Sequence, residues 1–325
     1  MCSLRSTCSR RACAAPAPHR ARLTWTARLS LSVPLHLLPI AAAAPAVLVG
    51  AWLLRVAHAP LAVQALQVAV TVAAVAIYVV MTRLRSLRQV IDGGWLHVAL
   101  AASLFVPLIT GSTGSPSRWI VLGNLRLYLA PIVLPLLLFV LGAPRRVIAV
   151  DAAVVTGAAI ALVLQPDAAQ LTALALAMLA LLIPSRVARP FRFGLLGMLI
   201  VSVVVAWRRP DPLAPVRYVE GVFTLAAESS PWLLTAALVS ATLPVAAFAW
   251  IARVLRSPGI LAVAIYYGVL LALAPLQVTP VPLLGFGAGP VLGYALVAAV
   301  VSRASRDIVQ SNGPQPASRR PDDSR

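Results

Sequence analysis

Residues 61–85 read LAVQALQVAVTVAAVAIYVVMTRLR, and this stretch decides the fold. Residues 61–82 carry no charge. As a helix rising about 1.5 Å per residue they reach across roughly 30 Å of hydrocarbon. Arg83 and Arg85 then close the segment. A helix satisfies its own backbone polar groups, which is the condition for crossing a bilayer. The rest of the chain has the same character. Of 325 residues, 60% are hydrophobic and 11% charged, and the mean hydropathy is +0.91. A soluble domain carries about a quarter charged residues. The composition therefore leaves room for about ten spans with short loops and no sizeable soluble domain.

Working outward from that segment, apolar windows place spans at about 30–54, 61–82, 94–110, 125–142, 146–164, 169–184, 192–207, 231–252, 258–276 and 281–302. One set of connections holds Arg83, Arg85 and Arg88; Arg145 and Arg146; Arg186, Arg189 and Arg192; and Arg253 and Arg256. With ten spans these all fall on one side, together with both arginine-rich tails. The positive-inside rule makes that side cytoplasmic. The other side has Arg55, Arg118, Arg126, Arg208, Arg209 and Arg217. The predicted fold class is thus all-α: a polytopic membrane protein of about ten transmembrane helices, with N and C termini inside. Residues 1–28 read as a basic disordered cytoplasmic tail, 29–303 as the membrane domain, and 304–325 as a second disordered cytoplasmic tail.

All 27 basic residues are arginine, and the formal charge is +18. They are scattered through loops and tails, which favours membrane orientation over nucleic-acid binding. Cys2, Cys8 and Cys13 precede the first span, match no zinc spacing, and leave no cysteine for a disulfide across the outer loops. Prolines recur in or beside spans, at Pro34, Pro39, Pro131, Pro135, Pro244, Pro275 and Pro290, and suit kinked helices around an internal cavity.

The nine acidic residues are the informative class. Asp92, Asp307, Asp322 and Asp323 map inside, and Asp151 lies about a turn into the fifth span. Asp167, Asp211, Glu220 and Glu228 map to the outer loops or membrane edges, where a retained carboxylate is a functional candidate. The longest outer connection, residues 208–230, reads RRPDPLAPVRYVEGVFTLAAESS. In a helix, Glu220 and Glu228 would lie about 12 Å apart along the axis and broadly on one side. With Arg208, Arg209 and Arg217 they offer a base for a sugar hydroxyl and cations for a phosphate. A solvated loop of paired charges fits the same spacing. Gln165-Pro166-Asp167 puts a carboxylate in a tight turn, as a substrate contact or as the N-cap of the next helix. Arg118-Trp119 reads as a site pair or as an interfacial anchor.

His36, His58 and His97 form no metal-ligand spacing, and no Walker loop, dinucleotide fingerprint or nucleophile elbow is present. Gly285-Phe286-Gly287-Ala288-Gly289 enters a span rather than a strand–helix unit, which argues against a phosphate cradle. No motif requires a cofactor or a metal site; a divalent cation is compatible.

Taken in order, four segments resemble the SEDS family (shape, elongation, division and sporulation), whose members include FtsW and RodA. RWIVLG at 118–123 resembles the family's R-W-I-x-L-G before its fourth helix. LQPDAAQLTALALAMLALLI from Leu164 resembles L-Q-P-D-L-G-T-A-L. RYVEGVFTLAAE at 217–228 resembles H-T-D-F-I-F-A-V-x-x-E-E, and PLLGFGAGPVLGY at 282–294 resembles P-F-V-S-Y-G-G-S-S.

The resemblance implies a cell-wall protein of cell shape or division in the bacterial cytoplasmic membrane. Such a protein polymerises lipid-linked disaccharide (lipid II) into glycan on the outer face, as a peptidoglycan glycosyltransferase. It further implies a class B penicillin-binding protein or another division or elongation protein as partner, membrane lipids as surroundings, and no nucleic acid. It places the family's essential Asp at Glu220 and its downstream Glu near Glu228, the catalytic pair. Arg118, Trp119, Gln165, Asp167, Arg208, Arg209 and Arg217 then become substrate contacts. The chain departs from the pattern at several points. Glu replaces Asp at 220; Q-P-S-E reads Tyr128-Leu129-Ala130-Pro131; Gly-Thr reads Ala169-Gln170; and S-Y-G-G reads Gly285-Phe286-Gly287-Ala288. These losses of polar groups keep open a non-catalytic, partner-binding relative. The many spans and prolines keep open a transporter or lipid-handling protein.

Overall fold

A computed structural model describes residues 34–84, 94–110, 118–122, 125–143, 148–185, 187–209, 214–285 and 287–311. The chain begins with helices α1 (Leu38–Val56) and α2 (Leu61–Arg83). A third apolar segment is broken into α3 (Leu96–Ser103) and α4 (Val106–Thr110). A small antiparallel hairpin, β1 (Trp119–Leu122) and β2 (Leu125–Tyr128), precedes α5 (Ala130–Leu141), α6 (Ile148–Leu164), α7 (Ala168–Leu182) and α8 (Arg189–Arg208). The short α9 (Val222–Ser229) leads into α10 (Pro231–Leu255), α11 (Pro258–Leu273) with a 3-10 turn at Ala274–Leu276, and α12 (Ala288–Ser311).

Among the described residues, six helices are long and apolar enough to cross a bilayer, and four shorter apolar segments accompany them. This is the helical, multi-pass membrane architecture the hydropathy pattern predicts. Boundaries shift where a local rule overrides it. The first helix begins at Leu38 rather than near residue 30, with Pro39 in its first turn, where a missing N–H costs no intrahelical bond. The fourth span begins at Ala130 because residues 125–128 pair as β2. The last helix begins at Ala288 rather than 281 and continues to Ser311, past the tail boundary expected at 304. Within these extra turns Ser305 is buried, and its hydroxyl donates to the Val301 carbonyl at 2.8 Å.

The centre of the bundle is aromatic. Phe248 of α10, Tyr266 and Tyr267 of α11, and Tyr294 of α12 meet with ring centroids 5.2–5.9 Å apart, in the separation range of favourable aromatic pairs. Around this core α11 packs on α7, α12 on α2 and α5, and α1 on α10. The glycine-rich run serves this packing. A Cβ at Gly289 would collide with the Tyr128 carbonyl, and one at Gly293 with the Pro131 carbonyl. Only glycine lets α12 lie so close to β2 and α5.

Hydrogen bonds fix which helix ends lie together. At one end the Tyr78 hydroxyl bonds Ser302 Oγ at 3.1 Å, Arg303 donates to the Leu84 carbonyl, and Arg192 Nη1 donates to the Ile183 carbonyl at 3.1 Å. At the other, Arg209 Nη1 donates to the Val163 carbonyl at 2.7 Å, and Gln165 Nε2 to the Leu104 carbonyl at 2.6 Å. The start of α1 and the end of α12 therefore share one side. That side also carries Arg83, Arg189, Arg192, Arg253, Arg256, Arg303 and Arg306. The opposite side carries Arg55, Arg118, Arg126, Arg208, Arg209 and Arg217. Counted with the arginines that the sequence adds in the connections and tails assigned to the first side, the positive-inside rule makes that side cytoplasmic. Arg85, Arg88, Arg145, Arg146, Arg186, Asp92, Asp211, Asp322, Asp323 and Phe286 lie outside the described residues, as do the three cysteines and the 1–28 tail.

Candidate functional site

The outer end is built around the turn between α6 and α7. Helix α6 ends at Leu164 with carbonyls that have no partner within the helix, a site of partial negative charge. Arg118, at the start of the β-hairpin, answers it. Its Nε donates to the Gln165 carbonyl at 2.8 Å and its Nη2 to the Pro166 carbonyl at 2.6 Å. Arg118 is only 6% exposed, so this fork pins the turn that follows α6 as well as placing a positive charge there.

Asp167 follows at once and caps α7, accepting from the Gln170 N–H at 3.3 Å. Its other carboxylate oxygen accepts a short hydrogen bond from the Tyr128 hydroxyl. Hairpin register sets Trp119 opposite Tyr128, with rings 5.1 Å apart, so one small sheet delivers Arg118, Trp119 and Tyr128 to the same turn. Burial pushes the Tyr128 phenol well above its ordinary pKa, and the Asp167 carboxylate pushes it further. Tyr128 thus stays protonated and remains a donor. One turn deeper, Gln170 Oε1 accepts from the Tyr266 hydroxyl at 2.5 Å.

Glu220 reaches this cluster from the long outer connection. Residues 217–220 form a turn, and Glu220 Oε2 accepts from the Val216 N–H at 2.8 Å. The Val219 carbonyl accepts from the Val281 N–H at 3.3 Å. A Cβ at Gly285 would approach the same carbonyl at 2.6 Å, so the absence of a side chain there seats the turn. The result is a cleft lined by Arg118, Trp119, Tyr128, Glu220, Gln277 and Pro280. Its volume is about 20 Å³, room for a water molecule.

Glu228 does not join it. Glu220 lies in the turn ahead of α9, so the two carboxylates are not on one helix. Glu228, in the last turn of α9, pairs with Arg217 at 2.9 Å, and both side chains are more than half exposed. Arg208 is exposed at the end of α8, and Arg209 is engaged with the end of α6. Gln165 is buried and holds the Leu104 carbonyl. Asp151 is far from this cluster along α6, in its first turn, with Oδ1 3.7 Å from His97 Nε2. Among the described residues no three His, Cys, Asp or Glu side chains gather as a metal would need.

Two polar cleft residues escaped sequence reasoning. Tyr128 reads as an apolar departure from a family motif, yet it is the donor that holds Asp167. The signal was there: Gly123-Asn124 separates two short runs, the pattern of a two-residue hairpin. Gln277 lies in a left-handed turn and donates to Thr224 Oγ1 at 2.8 Å. Nothing in the local sequence distinguishes it.

No protein-family model matches this sequence, and no curated protein matches it. The fold does have counterparts among solved structures. The rod shape determining protein RodA of Thermus thermophilus is 17% identical, with a TM-score of 0.62 covering 83% of this chain and 96% of that one. An aspartate-to-alanine mutant of the same RodA is 20% identical at a TM-score of 0.60, with the same coverage. A chain of a peptidoglycan synthase complex that coordinates polymerization and crosslinking is 18% identical at a TM-score of 0.62, covering 84% of this chain and 98% of that one. The protein therefore has a RodA-like, polytopic helical membrane fold.

Proposed function

We propose that this protein is a SEDS-type membrane protein of bacterial cell-wall synthesis, polymerising a lipid-linked disaccharide into glycan on the outer face of the cytoplasmic membrane. The observation that carries the reading is the position of Glu220. On a RodA-like frame, it is the outer carboxylate that opens onto a cleft beside a buried arginine. The ordered resemblance of four sequence segments to the SEDS family supports the same assignment.

The chemistry requires an acceptor hydroxyl to lose its proton as it attacks the donor's anomeric carbon, while the bond to a polyprenyl pyrophosphate breaks. Glu220 takes that proton as general base. Arg118 supplies fixed positive charge at the cleft wall, and the exposed Arg208 and Arg217 meet the leaving pyrophosphate. The cleft is too small for a sugar ring as it stands. Substrate entry therefore requires the cleft to open. A class B penicillin-binding protein is the fitting partner, since polymerised strands need crosslinking.

A second reading rests on a different observation. Arg118 is committed to the turn after α6 and Asp167 to capping α7, and much of the polar character expected at this end has become apolar. This favours a non-catalytic, partner-binding member of the same fold. One experiment separates the two. Purified protein in nanodiscs, given lipid II, should yield glycan strands on a gel, and Glu220→Gln should reduce them about 10²-fold or more. Product unaffected by Glu220→Gln refutes the catalytic assignment. Complete rescue of a deletion strain's shape by the same variant establishes the second reading instead.

A further inference from the structure

Helices α1 and α2 leave a wedge between them, because α1 packs on α10 and α2 on α12. The wedge closes at the short connection after Val56 and forms a cavity of about 330 Å³. It lies at the outer end of the bundle. Gly50, in the same half of α1, packs against the backbone of Leu284, and α1 touches α9.

The lining is amphipathic in a graded way. On α1, Leu48, Trp52 and Arg55 follow at four- and three-residue spacing, so they share a stripe. On α2, Gln64 and Val68 share the facing stripe, with Gln67 beside them. Arg55 is exposed in the last turn of α1, at the water side. Leu48 lies about 10 Å further along the axis, well into the depth of hydrocarbon. Leu48, Trp52 and Val68 are each 59–69% exposed and face the space lipid would fill. Trp52 sits at the level where an indole is favoured, between headgroups and chains.

Gln67 makes the wedge more than a greasy groove. It is 2% exposed, and both its amide nitrogen and its amide oxygen lack a hydrogen-bond partner. A buried amide without partners is costly in apolar surroundings. It sits six residues into α2, about 9 Å below the start of that helix. Gln64, one turn above, donates through Nε2 to the Ala59 carbonyl at 2.8 Å and lines the same cavity.

We propose that this wedge binds one anionic glycerophospholipid of the outer leaflet, with its phosphate at Arg55 and its ester and glycerol groups at Gln64 and Gln67. The depth of Gln67 selects this ligand class. A diacyl lipid carries ester carbonyls just beneath its phosphate, to which Gln67 can donate once its side chain turns into the wedge it lines. A polyprenyl phosphate is pure hydrocarbon below its head and leaves Gln67 unmatched. A free phosphate ion stops at Arg55. The lipid ties α1 to α2 and would stiffen the side of the bundle that carries α9 and the Glu220 turn. The site is separate from the Glu220 cleft and stands whether or not that cleft is catalytic.

The full chain, purified in mild detergent, is tested by native mass spectrometry for retained lipid and by thermal melting with added lipid. Phosphatidylglycerol should be retained in one copy and raise the melting temperature. Phosphatidylcholine, a polyprenyl phosphate and inorganic phosphate should each have a smaller effect. Arg55→Gln should weaken phosphatidylglycerol about tenfold or more through loss of a charged hydrogen bond. Gln67→Leu should fold at least as well as wild type without lipid, because it removes an unmatched amide, and yet lose most of the lipid-dependent shift. The proposal is overturned if both variants respond to phosphatidylglycerol as wild type does. It is equally overturned if phosphatidylcholine, the polyprenyl phosphate or phosphate alone matches phosphatidylglycerol.

Discussion

Replacing Asp167 by Ala should destabilise the protein by about 1.5–4 kcal/mol, most of it from Tyr128 rather than from the lost cap. The cap hydrogen bond to the Gln170 N–H is long, at 3.3 Å, so its loss belongs at the low end of the N-cap range, about 0.5–1 kcal/mol. The Tyr128 hydroxyl is different. Tyr128 is 4% exposed and Asp167 1%, so the hydroxyl loses its partner away from bulk solvent when the carboxylate is removed. A buried donor left without a partner costs about 1–3 kcal/mol. Asp167→Asn keeps an oxygen in place and should lose about half as much or less. Tyr128→Phe combined with Asp167→Ala removes both partners and should cost less than the two single changes added together. The coupling should be about 0.5–3 kcal/mol. Unfolding in mixed micelles titrated with dodecyl sulfate, followed by circular dichroism, measures the four variants against the wild type. A loss below about 0.5 kcal/mol for Asp167→Ala, or additive single and double variants, would refute the account.

Three further outcomes can be checked with the same preparations. Arg118→Lys should cost about 1–3 kcal/mol in that unfolding assay, because one ammonium cannot span the Gln165 and Pro166 carbonyls as the guanidinium fork does. Gly285→Ala should cost about 1–3 kcal/mol, since its Cβ meets the Val219 carbonyl at 2.6 Å and must push the Glu220 turn. If glycan synthesis is assayed alongside, it should fall further than the melting temperature suggests. Glu228→Gln breaks an exposed pair with Arg217 and should change stability by less than about 1 kcal/mol, with added salt erasing even that difference.

Sequence and structure divide along the range of the forces involved. The spans were legible because hydrocarbon thickness imposes a length and a composition on every crossing, and residues 61–82 meet both without reference to any neighbour. Topology was legible for the same reason, since Arg83, Arg189 and Arg253 report their side of the membrane one loop at a time. The hairpin at 119–128 was missed because the apolar residues 125–128 run on into α5, so hydropathy starts the fourth span at 125 and leaves the first strand as a connection. The start of α12 was misplaced because residues 281–285 are apolar for another purpose, seating the turn beneath Val219.

The candidate site shows the limit most clearly. The amino-acid sequence by itself determined a multi-pass helical membrane protein, its orientation, and the small set of carboxylates and arginines facing outward. It could not decide which of them meet. Eight residues separate Glu220 from Glu228, and a single helix would have put both on one side. Tertiary structure instead ends a turn at Glu220, sets it on one cleft with Arg118 and the hairpin, and leaves Glu228 in solvent with Arg217. The contacts that decide this are the Val219 carbonyl beneath Gly285 and Tyr128 against Asp167. They join residues 66 and 39 positions apart, and no local propensity encodes them. Hydrophobic length and charge are properties of a segment; convergence of a site is a property of packing, and only the folded bundle supplies it.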